Sequence, residues 1–176
     1  MTEDADFEAW YESLEIVHGD YLDQAETERR RTFLHRWLHA FYAAHGPLTM
    51  DLVGIALVLD QVQLATEDVK IVLADLARTT NLQPDVVVDD YEGGVRVSFN
   101  GSYTAPSVWE WENPDALAEV ADYLQEHVVE ELHTAWPTCP EHGFGLHAEV
   151  HGQTAVWWCR YRNHTVARVG HLGLGG

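Results

Sequence analysis

Two cysteines and two histidines near the C-terminus have the types and the spacing of metal ligands. Cys139 and His142 are separated by two residues, and Cys159 and His164 by four. The complete pattern is C-x2-H-x16-C-x4-H, which supplies the two sulfur and two nitrogen ligands that tetrahedral Zn²⁺ accepts. In the first pair a proline follows the cysteine and a glycine follows the histidine, which favours a tight turn. These four residues are the predicted metal ligands, and a structural Zn²⁺ ion is the predicted cofactor.

The element that must position these ligands is predicted to be a three-stranded β-unit. The stretches FGLHAEV and TAVWWC read as two strands, HGQ between them as a turn, and TVARVGHL as a third strand. One ligand pair at each end of such a sheet is the plan of a zinc ribbon. Because a unit this small builds too little core to fold alone, an ion that ties both ends together meets a physical need.

Three alternatives to this site stay open. His147 and His151 lie on one face of the same predicted strand, where they could replace either histidine ligand or be plain surface residues. The β-unit could also fold without an ion, or through a disulfide between Cys139 and Cys159. A catalytic zinc ion is less favoured than a structural one, because four protein ligands leave no open position for water.

Two other groups of ligand-type residues are assigned to the surface. An acidic cluster surrounds a predicted turn and lacks the spacing of an EF-hand, which favours a solvated loop. It consists of Asp85, Asp89, Asp90 and Glu92. His35 and His39 are four apart on one predicted helix face, but no HExxH motif accompanies them, so they are predicted to be helix-surface histidines.

The N-terminal half is predicted to be helical. Residues 3–24 form an amphipathic pattern with acidic residues on the polar face, and residues 28–45 give a second helix with a wide apolar surface. Two further apolar segments, 49–61 and 65–80, are interpreted as helices. Thr66, followed by acidic residues, is the predicted N-cap of the second segment.

A small antiparallel sheet and a long helix are predicted to follow. Residues 85–112 alternate with period two and contain turn signals at positions 92–94 and 100–101, which indicates two or three strands. Asn113 is the predicted N-cap of the long helix, Pro114 its first residue, and Pro137 closes it. Its buried stripe comprises Leu117, Val120, Leu124, Val128 and Leu132.

The predicted fold class is therefore α+β. It has a helical N-terminal half, a small antiparallel sheet, a long helix and a zinc-ribbon-like three-stranded β-unit. The predicted domains are an α+β domain over residues 1–135 and a zinc-ribbon-like β-module, packed on it, over residues 136–176.

The charge of the chain bounds its partners and its compartment. Its 176 residues carry 29 acidic and ten basic side chains, for a formal net charge of −19. Such a surface repels phosphate, which argues against nucleic acid and against anionic membranes as partners and favours a basic protein. No apolar run approaches the roughly 20 residues of a membrane span, and the N-terminus is acidic where a secretory signal is basic. Cytoplasmic residence is predicted, with both cysteines reduced or metal-bound.

These features favour a non-enzymatic, acidic protein-binding protein, such as an inhibitor or immunity-type protein for a basic partner. No nucleophile elbow or phosphate-cradling glycine loop occurs in the sequence. A regulatory adaptor with a winged helix and a zinc ribbon is one alternative, with helix 66–78 in the recognition position. A zinc-dependent hydrolase with Glu141 or Glu149 as the base is another. The acidity alone is also typical of a halotolerant protein with a solvated surface.

The C-terminal third resembles the tail of a group of uncharacterised actinobacterial proteins. That tail carries a W-P-x-C-P-x-H segment, then A-V-W-x-C, then V-A-x-[VI]-G. The matching residues here are Trp136, Pro137, Cys139, Pro140, His142, Ala155, Val156, Trp157, Cys159, Val166, Ala167, Val169 and Gly170. The resemblance is limited to residues 136–170, and it implies a zinc-ribbon-like tail but no activity.

Overall fold

The computed structural model describes residues 5–14, 28–91, 94–103 and 114–174. Within these ranges the chain forms four helices and two three-stranded antiparallel sheets. The predicted α+β class is confirmed, with a helical N-terminal half, a small sheet, a long helix and a second sheet at the C-terminus. The termini of the chain and the segments between the ranges lie outside this description.

The chain divides into two compact units, of which the first is Met1–Leu57. It contains helix α1 (residues 5–14), helix α2 (Glu28–His45) and the start of helix α3 (Met50–Thr79). Apolar side chains from all three helices form its core, because each helix carries an apolar stripe at helical spacing. The buried members are Phe7, Trp10, Leu14, Leu38 and Val53.

Helix α1 confirms the described part of the predicted helix over residues 3–24. Phe7, Trp10 and Leu14 are all buried, as the spacing predicts, and the Trp10 indole donates a hydrogen bond to the Leu48 carbonyl at 3.0 Å. Residues 15–24 of that prediction lie outside the described residues.

Helix α3 is a single helix of 30 residues where the sequence predicts two. The predicted N-cap at Thr66 is wrong. The Thr66 hydroxyl instead donates to the Val62 carbonyl, four residues earlier, at 2.6 Å. No glycine or proline separates the two apolar segments, so nothing interrupts the helix there. The separate helix 66–78, which the adaptor hypothesis assigns to recognition, is the C-terminal part of α3.

Among the described residues no single helix is both long and apolar enough to cross a bilayer. Residues 34–45 and 50–79 together have the length and composition of a span, but the chain bends by 111° between them.

The second compact unit, Val58–Gly176, contains both sheets. Strands β1 (Val86–Tyr91), β2 (Gly94–Phe99) and β3 (Ser102–Tyr103) form the first sheet in the order β1-β2-β3. The predicted turn at Asn100-Gly101 is confirmed. Both residues have positive φ, +49° and +82°, as a two-residue hairpin turn of type I′ requires. Of the other predicted turn, positions 92 and 93 lie outside the described residues.

Helix α4 (Asp115–Leu132) confirms the predicted long helix, with different ends. The predicted cap at Asn113 lies outside the described residues, and Pro114 is the N-cap residue rather than the first helical residue. The last helical residue is Leu132, and His133 caps the helix with a left-handed φ of +52°. Four residues therefore separate the end of the helix from Pro137, the residue predicted to close it. The predicted apolar stripe is buried except for Leu132, which is partly buried.

Strands β4 (His147–His151), β5 (Thr154–Cys159) and β6 (His164–Arg168) form the second sheet in the order β4-β5-β6, which confirms the three predicted strands. Its buried residues, Ala155 and Trp157 among them, belong to the same core cluster as buried residues of α3, β2 and α4. The second sheet therefore shares one core cluster with elements before residue 136. The compact units divide at 57/58.

A buried carboxylate on α3 holds the C-terminal segment in place. Asp75 is completely buried. Its Oδ2 accepts hydrogen bonds from Trp157 Nε1 and from the Gly170 amide, both at 2.7 Å. Its Oδ1 accepts from the Leu172 amide at 2.7 Å and from Arg78 Nη2 at 2.5 Å. Arg78 in turn donates to the carbonyls of Gly170 and Leu172, at 2.6 and 2.8 Å.

The close approach of the C-terminal segment to α3 needs a glycine. Gly170 has a φ of +90°, and a Cβ atom there would lie 2.5 Å from Cγ2 of Ile71. A side chain at this position would therefore push the segment away from the helix. A second polar link reaches the end of the helix, because Trp136 Nε1 donates to the Thr79 hydroxyl at 2.9 Å.

A second buried carboxylate on α3 titrates at an unusual pH. Asp68 is only 5% exposed. Burial, with a smaller contribution from the charge of Glu67, raises its pKa from 3.8 to about 6. The folded state therefore binds a proton that the unfolded state releases between pH 4 and 6, and stability falls as pH rises through this window.

We expect Asp68→Asn to stabilise the protein at neutral pH. The difference in free energy of unfolding between the variant and the parent protein should increase by about 2 kcal/mol between pH 4 and pH 7. The reason is that the parent protein must ionise a buried carboxyl group over this range, whereas asparagine does not ionise. Urea unfolding at a series of pH values measures this. Glu67→Gln, at the exposed neighbour, is the matched control and should change the profile little. Parallel profiles for Asp68→Asn and the parent protein would contradict the expectation.

Candidate metal centre

The first ligand pair sits on a closed turn that follows α4. The Cys139 amide donates to the Phe144 carbonyl, and the Gly143 amide donates back to the Cys139 carbonyl, both at 2.8 Å. Gly143 has a φ of +72°, which a side chain would disfavour, so the glycine closes the turn. This geometry brings Cys139 Sγ to 3.2 Å from His142 Nδ1.

The second ligand pair sits where β5 passes into β6. Cys159 is the last residue of β5 and His164 the first of β6, and the two are paired across the sheet. Asn163, with a φ of +49°, completes the turn between them. Because Cys159 ends β5 and His164 begins β6, the two residues lie next to each other at the same end of the sheet.

The two pairs converge on one point. The ligand atoms of Cys139, His142, Cys159 and His164 all lie within 4.8 Å of one another. Cys159 Sγ is 3.6 Å from His142 Nδ1, and Cys139 Sγ is 3.8 Å from His164 Nε2. In a tetrahedral zinc site, bond lengths of about 2.3 Å to sulfur and 2.0 Å to nitrogen place these atoms about 3.5 Å apart. The observed separations lie on both sides of that value, so the four side chains are arranged to hold a metal ion.

The two cysteines are more deeply buried than the two histidines. Cys139 and Cys159 are about 1% and 0% exposed, whereas His142 and His164 are half-buried. Two buried sulfurs shield the point of convergence on one side, and two rings whose centroids are 5.3 Å apart cover the other. Four side chains of these types that converge on one point can supply all the ligands of a tetrahedral metal site.

A glutamine on α4 anchors the segment that carries the first pair. The Gln125 amide nitrogen donates to the carbonyls of Trp136 and Leu146, at 2.8 and 2.6 Å. The Leu146 amide donates to the Pro137 carbonyl at 2.8 Å, which closes the base of the segment. The first pair is therefore held by α4 as well as by its own turn. Sequence reasoning missed Gln125, and the available signal was a polar residue beside the buried stripe of the helix.

The alternative ligands lie elsewhere on the sheet. Among the described residues, neither His147 nor His151 belongs to the converging group. The ring of His151 stacks on Trp158 with centroids 4.0 Å apart, and its Nε2 lies 3.3 Å from a carboxylate oxygen of Glu149. Cys139 and Cys159 are both free, so the alternative disulfide is not formed in this structure.

The other predicted surface groups are engaged by neighbours. Asp89 receives two hydrogen bonds from Arg96, at 2.6 and 3.0 Å, and these bonds hold the pKa of Asp89 below its usual value despite some desolvation. His35 and His39 are exposed on α2, and each places its ring edge against Phe7. The helix-surface interpretation of this histidine pair is confirmed.

Glu149, one of the two carboxylates proposed as the base of a hydrolase, is hydrogen-bonded to cationic side chains. Burial favours a higher pKa for Glu149, but hydrogen bonds from Arg160 and His151, with their charges, outweigh burial and lower the pKa. Arg160 Nε lies 2.6 Å from Glu149 Oε1. A general base works best with a pKa near the operating pH, and this carboxylate is shifted away from it.

Comparison with protein-family models, with curated proteins and with solved structures finds no match for this chain. The resemblance of residues 136–170 to an actinobacterial tail therefore stays a prediction. The assignment of the site rests on the geometry of its four side chains.

Proposed function

We propose that this chain is a zinc-stabilised, non-enzymatic protein-binding protein in which Cys139, His142, Cys159 and His164 hold one structural Zn²⁺ ion. The convergence of their ligand atoms within 4.8 Å is the observation that carries the proposal. Two thiolates and two imidazoles suit zinc in tetrahedral geometry, whereas magnesium and calcium prefer oxygen ligands. Since one pair lies on the turn before β4 and the other at the connection between β5 and β6, the ion would tie these two segments together.

We expect the purified protein to contain about one zinc ion per chain, as measured by mass spectrometry of its metal content. Cys159→Ser should reduce the zinc content at least tenfold, because serine is a poor zinc ligand. His147→Asn, on β4 and outside the converging group, is the matched control and should keep full occupancy. Full zinc content in Cys159→Ser would remove that residue from the ligand set and overturn the assignment.

The proposed partner is a basic protein, as for an inhibitor or immunity-type protein. Helix α4 supports this, because it contains no lysine or arginine and its solvent face carries an acidic stripe. The exposed residues of that stripe are Asp122, Glu126 and Glu130. With a net charge of −19 behind it, this stripe would steer a basic partner toward the helix.

We expect neutralisation of this stripe to weaken binding of a basic probe. A fluorescent decalysine peptide should bind the triple variant Asp122→Asn, Glu126→Gln, Glu130→Gln about tenfold more weakly at 20 mM NaCl, and binding to the parent protein should fall steeply by 200 mM. Fluorescence anisotropy measures both effects.

The control is a triple variant with the same change in net charge at exposed positions on other elements, namely Asp51→Asn, Glu67→Gln and Asp85→Asn. It should weaken binding only about twofold, because it leaves the stripe intact. Equal losses in both triple variants, or binding indifferent to salt, would contradict a docking face on α4.

A further inference from the structure

An exposed aromatic pair sits beside the metal centre. Phe144 lies on the turn that carries the first ligand pair and Tyr161 on the turn that carries the second. Their side chains are 53% and 56% exposed, and their ring centroids are 4.6 Å apart. Arg162 adds a cation, with its guanidinium carbon 5.1 Å from the centroid of the Tyr161 ring. We call Phe144, Tyr161 and Arg162 the aromatic–arginine patch.

The backbone fixes this patch in place. The Phe144 carbonyl accepts the hydrogen bond that closes the first turn, which holds the backbone of this residue, and its ring packs against that of Tyr161. Tyr161 lies in the short connection between β5 and β6, and its ring centroid is 5.4 Å from that of His142. Both rings are therefore presented to solvent on ordered turns. Side chains held in this way lose little conformational freedom when a partner binds.

The segment that follows the first strand of the second sheet differs in charge from the chain as a whole, although the exposed Glu141 lies on the turn before Phe144. From residue 150 to the C-terminus the sequence contains three arginines and no aspartate or glutamate, although the whole chain carries −19. Of the arginines next to the patch, Arg160 is bound to Glu149 at 2.6 Å. No carboxylate within ion-pair distance of Arg162 is found among the described residues, so its charge faces solvent beside the rings.

We propose that the aromatic–arginine patch docks a short protein segment in which an acidic residue lies next to an aromatic or aliphatic one. The two rings would cover the apolar side chain, and the Arg162 guanidinium would receive the carboxylate. Tyrosine and arginine dominate the energetics of protein interfaces for these reasons. This surface is separate from the acidic stripe of α4, which would attract the opposite charge.

The net charge of the chain favours a peptide over a nucleic acid on this patch. Aromatic rings with an arginine also stack on unpaired bases. However, a nucleic acid carries a phosphate with every base, and a protein with a net charge of −19 repels each phosphate. A segment with one carboxylate meets that repulsion once and keeps the contacts with both rings.

A selection experiment tests the proposal with a defined probe. A phage-displayed library of random dodecapeptides is selected against the full-length protein as purified, and the enriched peptides are synthesised. We expect them to share an acidic residue beside a large apolar one. Affinity should fall at least tenfold in Phe144→Ala and in Arg162→Glu. Arg168→Ala, at an exposed arginine of β6 outside the patch, is the matched control and should stay within twofold of the parent protein.

The outcomes separate this proposal from the others. Zinc content and circular dichroism are measured for each variant, and Arg162→Glu, at an exposed position, keeps the test valid if Phe144→Ala fails to fold. Peptides that bind Phe144→Ala and Arg162→Glu as well as the parent protein would overturn the proposal, as would a library that yields no patch-dependent peptide. Binding of oligo(dT) that is lost in Phe144→Ala while the peptides bind elsewhere would assign the patch to nucleic acid instead. Loss of peptide binding in the patch variants together with the absence of zinc would refute the metal proposal alone.

Discussion

Removal of the metal ion should lower the stability of the protein by about 4 kcal/mol. This is the contribution of a ligand present at about a thousand times its dissociation constant, a modest ratio for a zinc site with two thiolates. For a chain of this length it corresponds to a fall of roughly 10 °C in the midpoint of thermal unfolding. Differential scanning calorimetry of the zinc-loaded protein, before and after treatment with a chelator, measures the shift.

The size of this shift follows from how the β-unit is supported. Isolated zinc-finger peptides are unfolded without their ion. Here β4–β6 shares a core with α4, and Gln125 binds the segment before the sheet from the helix side. We therefore expect the metal-free protein to retain its helices and to loosen at the two ligand-bearing turns. Hydrogen exchange should show this as lost protection of the Cys139 and Gly143 amides, which close the first turn.

Two variants control the metal experiment. Cys159→Ser should resemble the chelated protein from the start and should show no further response to chelator, because its site is already open. His147→Asn, on the same sheet but outside the group of ligand atoms, should respond as the parent protein does. A midpoint of unfolding that is unchanged after verified removal of the metal would show that the ion does not hold the β-unit.

The convergence of the four candidate ligands could be predicted because much of its geometry is local. A cysteine and a histidine that are separated by two residues on a Pro- and Gly-containing turn can point toward the same place. A pair that ends one strand and begins the next is brought together by the hairpin itself. Only the meeting of the two pairs depends on the sheet between them, and the alternation of FGLHAEV and TAVWWC indicates that sheet. The same locality explains why the Asn100-Gly101 turn was predicted correctly.

The errors arose where one residue type serves two roles or where the partners are distant. Thr66 has the side chain of an N-cap, but a threonine hydroxyl can equally bond a carbonyl one turn back, and the continuity of α3 decides between the two. The sequence also did not predict the core cluster, whose members come from α3, β2, α4 and β5. Spacing along the chain does not reveal such a core. The contact between the rings of Phe144 and Tyr161 was not predicted. An alternating pattern shows which face of a strand a residue occupies, but it does not show which residues of two different turns lie next to each other.

Substitution of Asp75 by asparagine should destabilise the protein by about 3–5 kcal/mol, the cost of breaking a buried, fully hydrogen-bonded ionic group. Each carboxylate oxygen accepts two hydrogen bonds, one pair from Trp157 and Gly170 and the other from Leu172 and Arg78. Asparagine has the same shape but offers one acceptor oxygen. In either orientation its amide nitrogen, itself a donor, faces two further donors. Urea unfolding followed by circular dichroism measures the loss.

The control for this substitution lies on the same helix. Glu67 is exposed and pairs with Lys70 at 3.3 Å, so Glu67→Gln should cost no more than about 0.5 kcal/mol. The structure also predicts which part of the chain loosens first in Asp75→Asn. The amides of Gly170 and Leu172 should lose protection from hydrogen exchange first, since Asp75 is their acceptor.

Arg78 provides a second test of the same network. Its side chain reaches the carbonyls of Gly170 and Leu172 as well as Asp75, so removing both charged residues relieves the unpaired charge that either single change leaves behind. The double variant Asp75→Asn, Arg78→Gln should therefore cost less than the sum of the single variants, by at least 1 kcal/mol. Strict additivity would mean that the two side chains act independently. In that case the C-terminal segment would be held to α3 by its apolar contacts and not by the buried carboxylate.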